Sequence, residues 1–338
     1  MKLVQLHGPG SFSLDEVALP QISDDDALIQ VQHCGICGSD VTYVAQGGLA
    51  GPSGAAMPLG HELSGTVAAV GKNVIDLAIG DRVCVNPMGA GNAIGNGGSE
   101  GGFARQLLVR NAALGGCVFK LPETVSMLEG ALVEPLAVGF HAVNQAQPGS
   151  GNKVLIFGLG AIGLSCIAAL RYRGVEDIIG LDFSADRRER AMKMGARETR
   201  SPEGLDLLAY LQQQHGADQL MGMLPIAGTD IFIDAAGATS IVKSVLDVCK
   251  TGARLIVAGL HKKPVEVDFT MLLMKELSIT GSMAYPNEFP DVISMLASGE
   301  VDVLPMVSHH FPLEEFETAF GLACAPEAGA KIMIDLLA

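Results

Sequence analysis

Two groups of residues carry chemistry that an ordinary core has no use for. The first is His33-Cys34-Gly35-Ile36-Cys37-Gly38-Ser39-Asp40, followed by Gly60-His61-Glu62. Thiolate, imidazole and carboxylate are zinc-type ligands, and three protein ligands with an open position mark a catalytic rather than a structural site. Glu134, in Val133-Glu134-Pro135-Leu136, is an acid in an apolar run, and such a group needs a partner. The Cys34/Cys37 spacing also suits redox chemistry, but there is no second CxxC and no βαβ setting, so Cys34 reads as a small core residue. His61 alone would read as a structural histidine; with Cys37 and two acids in the pattern it reads as a ligand. Cys84, Cys117, Cys166, Cys249 and Cys324 are scattered among apolar neighbours and read as packing.

The second group lies in Lys153–Leu170, KVLIFGLGAIGLSCIAAL. An apolar strand meets Gly158, Gly160 and Gly163 and runs on into a helix that starts near Ala161 and Ile162. The first glycine lets the chain turn, the second lets backbone approach a pyrophosphate, and the third lets helix pack on strand. The phosphates then face free N–H groups at the helix N-terminus. A glycine turn with no ligand has the same spacing, but a second strand, Ile178–Leu181, ends on Asp182 about 20 residues later, where an acid grips a ribose diol. Arg187 and Arg188 follow, suited to the adenine side or to an exposed helix face. Ala235, closing a later strand, and Gly259, following another, complete the candidate dinucleotide-binding set.

These groups must be positioned by two kinds of scaffold. Up to about residue 110 the pattern is β structure cut by turns, with strands at Ala27–Val31, Leu63–Val70 and Ile79–Val83, and no helix of convincing length before about Val125. Gly89–Gly102 is rich in glycine and reads as a flexible loop. A helix is expected at Glu134–Ala146. Strands and helices then alternate: Ala185–Met194, Leu205–Gln214, Asp230–Ala235, Thr239–Lys250 and Arg254–Ala258. That βαβ rhythm predicts a parallel sheet. Leu277–Met283, Phe289–Ala297 and Lys331–Leu336 follow as strand, helix and strand.

The chain of 338 residues is 49% apolar and 17% charged, enough to bury a large core in two domains. Its formal charge of −15 argues against nucleic acid and anionic membrane surfaces as partners and leaves small molecules. No stretch reads as a membrane span once the dinucleotide motif accounts for the apolar helix. The first residues lack a signal-peptide core, and an odd number of unpatterned cysteines fits a reducing compartment, so a cytoplasmic location is expected.

The ordered set Gly35-Ile36-Cys37-Gly38-Ser39-Asp40, Gly60-His61-Glu62, Gly80-Asp81-Arg82-Val83, Glu134-Pro135, Gly158-Leu159-Gly160-Ala161-Ile162-Gly163 and Asp182 resembles the zinc-dependent medium-chain alcohol dehydrogenases, nearest the polyol, butanediol and threonine dehydrogenase branch. The resemblance implies an α/β protein: a GroES-like β-rich catalytic domain from residues 1–136 and 278–338, and a Rossmann domain, a doubly wound parallel sheet, from 137–277. It implies catalytic zinc held by Cys37 and His61 with Glu62 or Glu134, and NAD as cofactor. The mechanism expected of such a protein has Ser39 accept the proton of a secondary alcohol and hydride pass to the nicotinamide, with Asp40 expected to orient a ligand or to form a buried turn. A threonine-type 3-hydroxy acid substrate and a non-catalytic dinucleotide binder are the alternatives. A zinc-free quinone-reductase type would lack Cys37 and His61.

Three departures matter. Asn86–Gly102 contains none of the four cysteines that hold a structural zinc in most relatives, so one Zn2+ per subunit is expected. Thr42 stands where the family often has a relay histidine, which leaves Ser39, the ribose hydroxyl, Tyr43 or water to carry the proton out. Ala284 stands where sorbitol-type relatives have an arginine, favouring a smaller alcohol or vicinal diol. Leu277–Met283 resembles the strand through which relatives pair, implying a homodimer or homotetramer.

Overall fold

The computed structural model describes residues 1–52, 54–325 and 329–337. It divides into two units, residues 1–134, 289–297 and 307–338 against 135–288 and 298–306. Residues 278–288 stay with the second unit because Ser278–Gly281 pairs with Arg254–Val257 in its sheet.

The first unit is built on Ala27–Ile36, which pairs with Glu62–Val70 on one side and Lys331–Asp335 on the other, both antiparallel. Val307–Pro312, Arg82–Val85, Val118–Lys120 and Gln106–Val109 complete a seven-stranded sheet. Early in the central strand burial alternates: Ala27, Ile29 and Val31 are fully buried and Gln30 is exposed. From Cys34 to Ile36 every residue is buried, because strands from both parts of the chain cover it there.

A helix, Gly38–Gln46, follows at once and corrects the expectation of none before about Val125. Val41, Thr42 and Val44 give it weak intrinsic propensity. It is held at its start, where Asp40 accepts the Cys37 N–H at 2.9 Å, and ends on Gly47 in the left-handed conformation. Residues 89–102, read as a flexible loop, are pinned. Asn92 donates to the carbonyls of Gly89 and Arg110, each at 2.8 Å, and the Tyr43 hydroxyl donates to Asn96 at 3.0 Å.

The second unit holds a six-stranded, wholly parallel sheet. Its order is Glu198–Arg200, Ile178–Leu181, Val154–Phe157, Ile231–Asp234, Arg254–Val257, Ser278–Gly281. Counted along the chain this is 3-2-1-4-5-6, the dinucleotide-binding order, whose order reverses at the first strand. Val154–Phe157 and Ile231–Asp234 are buried throughout, as strands covered on both faces must be. The hairpin Ala217–Leu220 with Leu224–Ala227 and the helix Phe269–Lys275 were not foreseen. No helix among the described residues is long and apolar enough to cross a membrane.

Candidate active site

Cys37 caps the helix Gly38–Gln46, and His61 and Glu62 stand at the start of Glu62–Val70. One ligand atom from each lies within 4.8 Å of the others. Among the described residues this is the group of three or more such side chains that could hold a metal ion. His61 is 3% and Glu62 1% exposed, while Cys37 is half-buried, so the trio is open to solvent on the cysteine side.

The charges show what the trio fits. Burial alone would strip the His61 proton, but the negative charges of Asp40, Cys37 and Glu134 outweigh it and hold its pKa well above the usual range. A buried imidazole that draws a proton marks a place where positive charge is favoured. Sulfur, nitrogen and oxygen donors in such a place fit a zinc-type cation.

Asp40 is fully buried. Its Oδ2 accepts the Cys37 N–H at 2.9 Å and its Oδ1 accepts the Gly60 N–H at 3.4 Å, so one carboxylate ties down the backbone of one ligand and the neighbour of the next. The same Oδ1 lies 3.7 Å from Nδ1 of His61. Burial lifts the Asp40 carboxyl above its usual range, with the His61 charge and the Cys37 N–H opposing.

Ser39 places its hydroxyl 3.3 Å from Nε2 of His61. Thr42 turns its hydroxyl back onto the Gly38 carbonyl at 3.0 Å. The Tyr43 pKa is raised, first by burial and then by the Asp40 and Cys37 charges. Glu134, in the first turn of Val133–Ala146, falls outside the trio defined by ligand distance, yet its charge acts on His61, Tyr43 and Lys331. Cys34 is buried core, its thiol pushed well up by burial and by the charges of Asp40 and Glu62.

Lys331 is the residue missed from sequence. Its ammonium, 2% exposed, donates to both oxygens of Glu62 at 2.6 Å and to the Ile36 carbonyl at 3.2 Å. A lysine opening an apolar strand was the available signal, since a buried ammonium needs an anion.

In the second unit the glycine turn has the geometry its spacing calls for. Gly158 has φ 87°, and a Cβ on Gly163 would lie 1.9 Å from the Gly158 carbonyl oxygen. Gly160 faces open space and caps Ala161–Tyr172, so Ala161 and Ile162 form its first turn. Asp182 accepts the Leu159 N–H at 2.7 Å and the Ser184 N–H at 2.8 Å, which aims its carboxylate at the turn. The Arg187 guanidinium lies 4.0 Å from it. Arg188 donates instead to the Asp182 and Phe183 carbonyls, at 2.7 and 2.8 Å. Ala235 donates to the Phe157 carbonyl at 2.9 Å and Gly259 to that of Asp234 at 2.7 Å, so both line the carboxyl ends of the strands. Sequence reading missed His261, whose Nε2 donates to buried Asp234 at 2.7 Å.

A soft-and-hard ligand trio on a β-rich unit and a nucleotide-type turn on a 3-2-1-4-5-6 sheet define a metal-type dehydrogenase architecture. A family model described as "Alcohol dehydrogenase GroES-like domain" matches residues 23–123, and one described as "Zinc-binding dehydrogenase" matches 161–298. The chain is 32% identical to sorbitol dehydrogenase of Mus musculus, over 97% of this chain and 94% of that protein. It is 29% identical to D-xylulose reductase of Saccharomyces cerevisiae, over 94% of this chain and 92% of the other. The solved structure of 2R,3R-butanediol dehydrogenase from Bacillus subtilis superposes with a TM-score of 0.87 at 27% identity, covering 99% of both chains. The chain belongs to the zinc-binding medium-chain alcohol dehydrogenase family and is an oxidoreductase of that family.

Proposed function

We propose that the protein interconverts a secondary alcohol of the vicinal diol or polyol type and its ketone, using NAD and one catalytic zinc. The observation that carries this is the convergence of Cys37, His61 and Glu62, within 4.8 Å of one another in a field that favours positive charge. Zinc, when bound, supplies the Lewis acidity that lowers the pKa of a hydroxyl.

The chain's own residues do the rest. Ser39, 3.3 Å from His61 Nε2, accepts the alcohol proton, which needs only hydrogen-bond reach. Thr42 does not titrate near neutral pH and is engaged with Gly38, so the proton leaves through Ser39, the ribose hydroxyl and water. Asp182 favours NAD because a carboxylate accepts ribose hydroxyls and repels a 2′-phosphate. The similarity to sorbitol dehydrogenase, D-xylulose reductase and butanediol dehydrogenase supports a secondary alcohol beside another hydroxyl. Ala284, in place of a long cationic side chain, favours a short substrate. Seven free thiols support a cytoplasmic setting.

The test is to incubate the protein with NAD and a panel of diols, polyols and 3-hydroxy amino acids while following NADH absorbance, before and after chelation. Short diols should be oxidised and chelation should abolish turnover. Cys37→Ser should lose its metal and its activity while keeping its circular dichroism spectrum. A Cys37→Ser variant as fast as its parent would refute the assignment.

A further inference from the structure

The Glu62–Lys331 pair is more than a satisfied charge. The three N–H donors of the ammonium match three acceptors, Glu62 Oε1, Glu62 Oε2 and the Ile36 carbonyl. The pair occupies a slot that the backbone leaves for it. Gly35 pairs with Glu62 on one neighbouring strand and with Met333 on the other. A Cβ on Gly35 would lie 2.3 Å from Glu62 Oε2 and 3.1 Å from Lys331 Cδ. No other residue type fits at 35 without displacing the carboxylate.

We propose that Lys331 is a positioning residue. By holding both oxygens of Glu62, it limits how far that carboxylate can move onto a metal bound by Cys37 and His61, and so keeps a coordination position for the alcohol. The proposal rests on the metal site proposed above. An unrestrained carboxylate at this distance can offer both oxygens and close the position a catalytic site must keep open. The ammonium occupies one lone-pair direction on each oxygen and leaves at most one-sided contact. Moving Glu62 further would strip a buried cation of its counter-charge, a costly rearrangement. The two charges meet as an ion pair at 2.6 Å, with side chains only 2% and 1% exposed, so neither has water to turn to.

Cobalt(II) in place of zinc reports both coordination and affinity, independently of turnover. The full-length protein, Lys331→Met and the double variant Lys331→Met/Glu62→Leu are titrated with Co2+, with circular dichroism to check the fold. Lys331→Met should bind Co2+ more tightly, by roughly 10- to 100-fold, the scale on which outer-shell partners act. Its visible bands should weaken as coordination number rises. The double variant, lacking the freed carboxylate, should lose that change. An unchanged Lys331→Met spectrum, or a change that persists in the double variant, overturns the proposal. Should Lys331→Met fail to fold, Lys331→Leu, which likewise cannot donate to Glu62, is read the same way. A parent protein with no Cys37-dependent thiolate-to-cobalt band would instead sink the metal site itself.

Discussion

The carboxylate of Asp40 lies 3.7 Å from Nδ1 of His61 while accepting the N–H of Cys37, so two candidate ligands share one buried anchor. Asp40→Asn keeps the shape and removes the charge. The expected outcome is a 10- to 100-fold weaker hold on zinc, the usual effect of losing a partner behind a ligand. Competition with a chromophoric chelator measures it, and an affinity equal to the parent's would reduce Asp40 to a turn former.

Asp182 gives a second prediction. Its carboxylate is held by two backbone N–H groups, leaving accepting capacity for a ribose diol. Asp182→Ala should lower kcat/KM for NAD by roughly 10- to 100-fold, the equivalent of about 1.5–3 kcal/mol for hydrogen bonds to a charged acceptor, and should narrow discrimination against NADP. A parent enzyme that prefers NADP would defeat the assignment.

A third concerns stability against pH. Burial would raise the Glu288 pKa, but the Asn287 N–H and His141 outweigh it, and the carboxyl lies below its usual value of 4.5. His141 Nδ1 is 2.7 Å away. A carboxylate depressed in the folded state contributes stability that is fully present above its unfolded pKa and is lost as pH falls through the folded one. The parent should therefore exceed Glu288→Gln by about 1–3 kcal/mol at pH 7, with the gap closing below about pH 4.5. Urea unfolding of both proteins at several pH values tests this, and a gap that widens in acid would contradict it.

The fourth is assembly. Ser278–Gly281 is the edge strand of the parallel sheet, and Ile279 and Met283 are exposed beside it. An open strand edge with exposed Ile279 and Met283 invites pairing with a second copy. Light scattering should give two or four times the 35.1 kDa chain mass, and Ile279→Lys should shift the protein towards monomer. A monomeric parent at micromolar concentration would exclude this interface.

What could be read from sequence was what the chain encodes locally. Gly158, Gly160 and Gly163 declared their turn because each spacing answers one steric demand, and Val154–Phe157 and Ile231–Asp234 declared buried strands because both faces are apolar. Cys37 and His61 read as ligands from their chemistry, but the sequence left Glu62 and Glu134 as equal candidates for the third, and only the fold brings Glu62 within 4.8 Å of both. The helix Gly38–Gln46 was hidden because its β-branched residues argue for strand while its stability comes from the Cys37–Asp40 cap and from packing. Lys331 and His261 were hidden for another reason. Their partners, Glu62 and Asp234, lie 269 and 27 residues away, and only the folded chain brings them together.

That separation of 269 residues also orders events on the ribosome. Glu62 leaves the exit tunnel early, but the ammonium that neutralises it arrives only after the whole nucleotide-type unit has been synthesised. The parallel sheet can thus close on contacts already available to it, while the ligand-bearing sheet waits for the strand Lys331–Asp335. Stable zinc loading should accordingly wait until Lys331 has been synthesised and paired with Glu62.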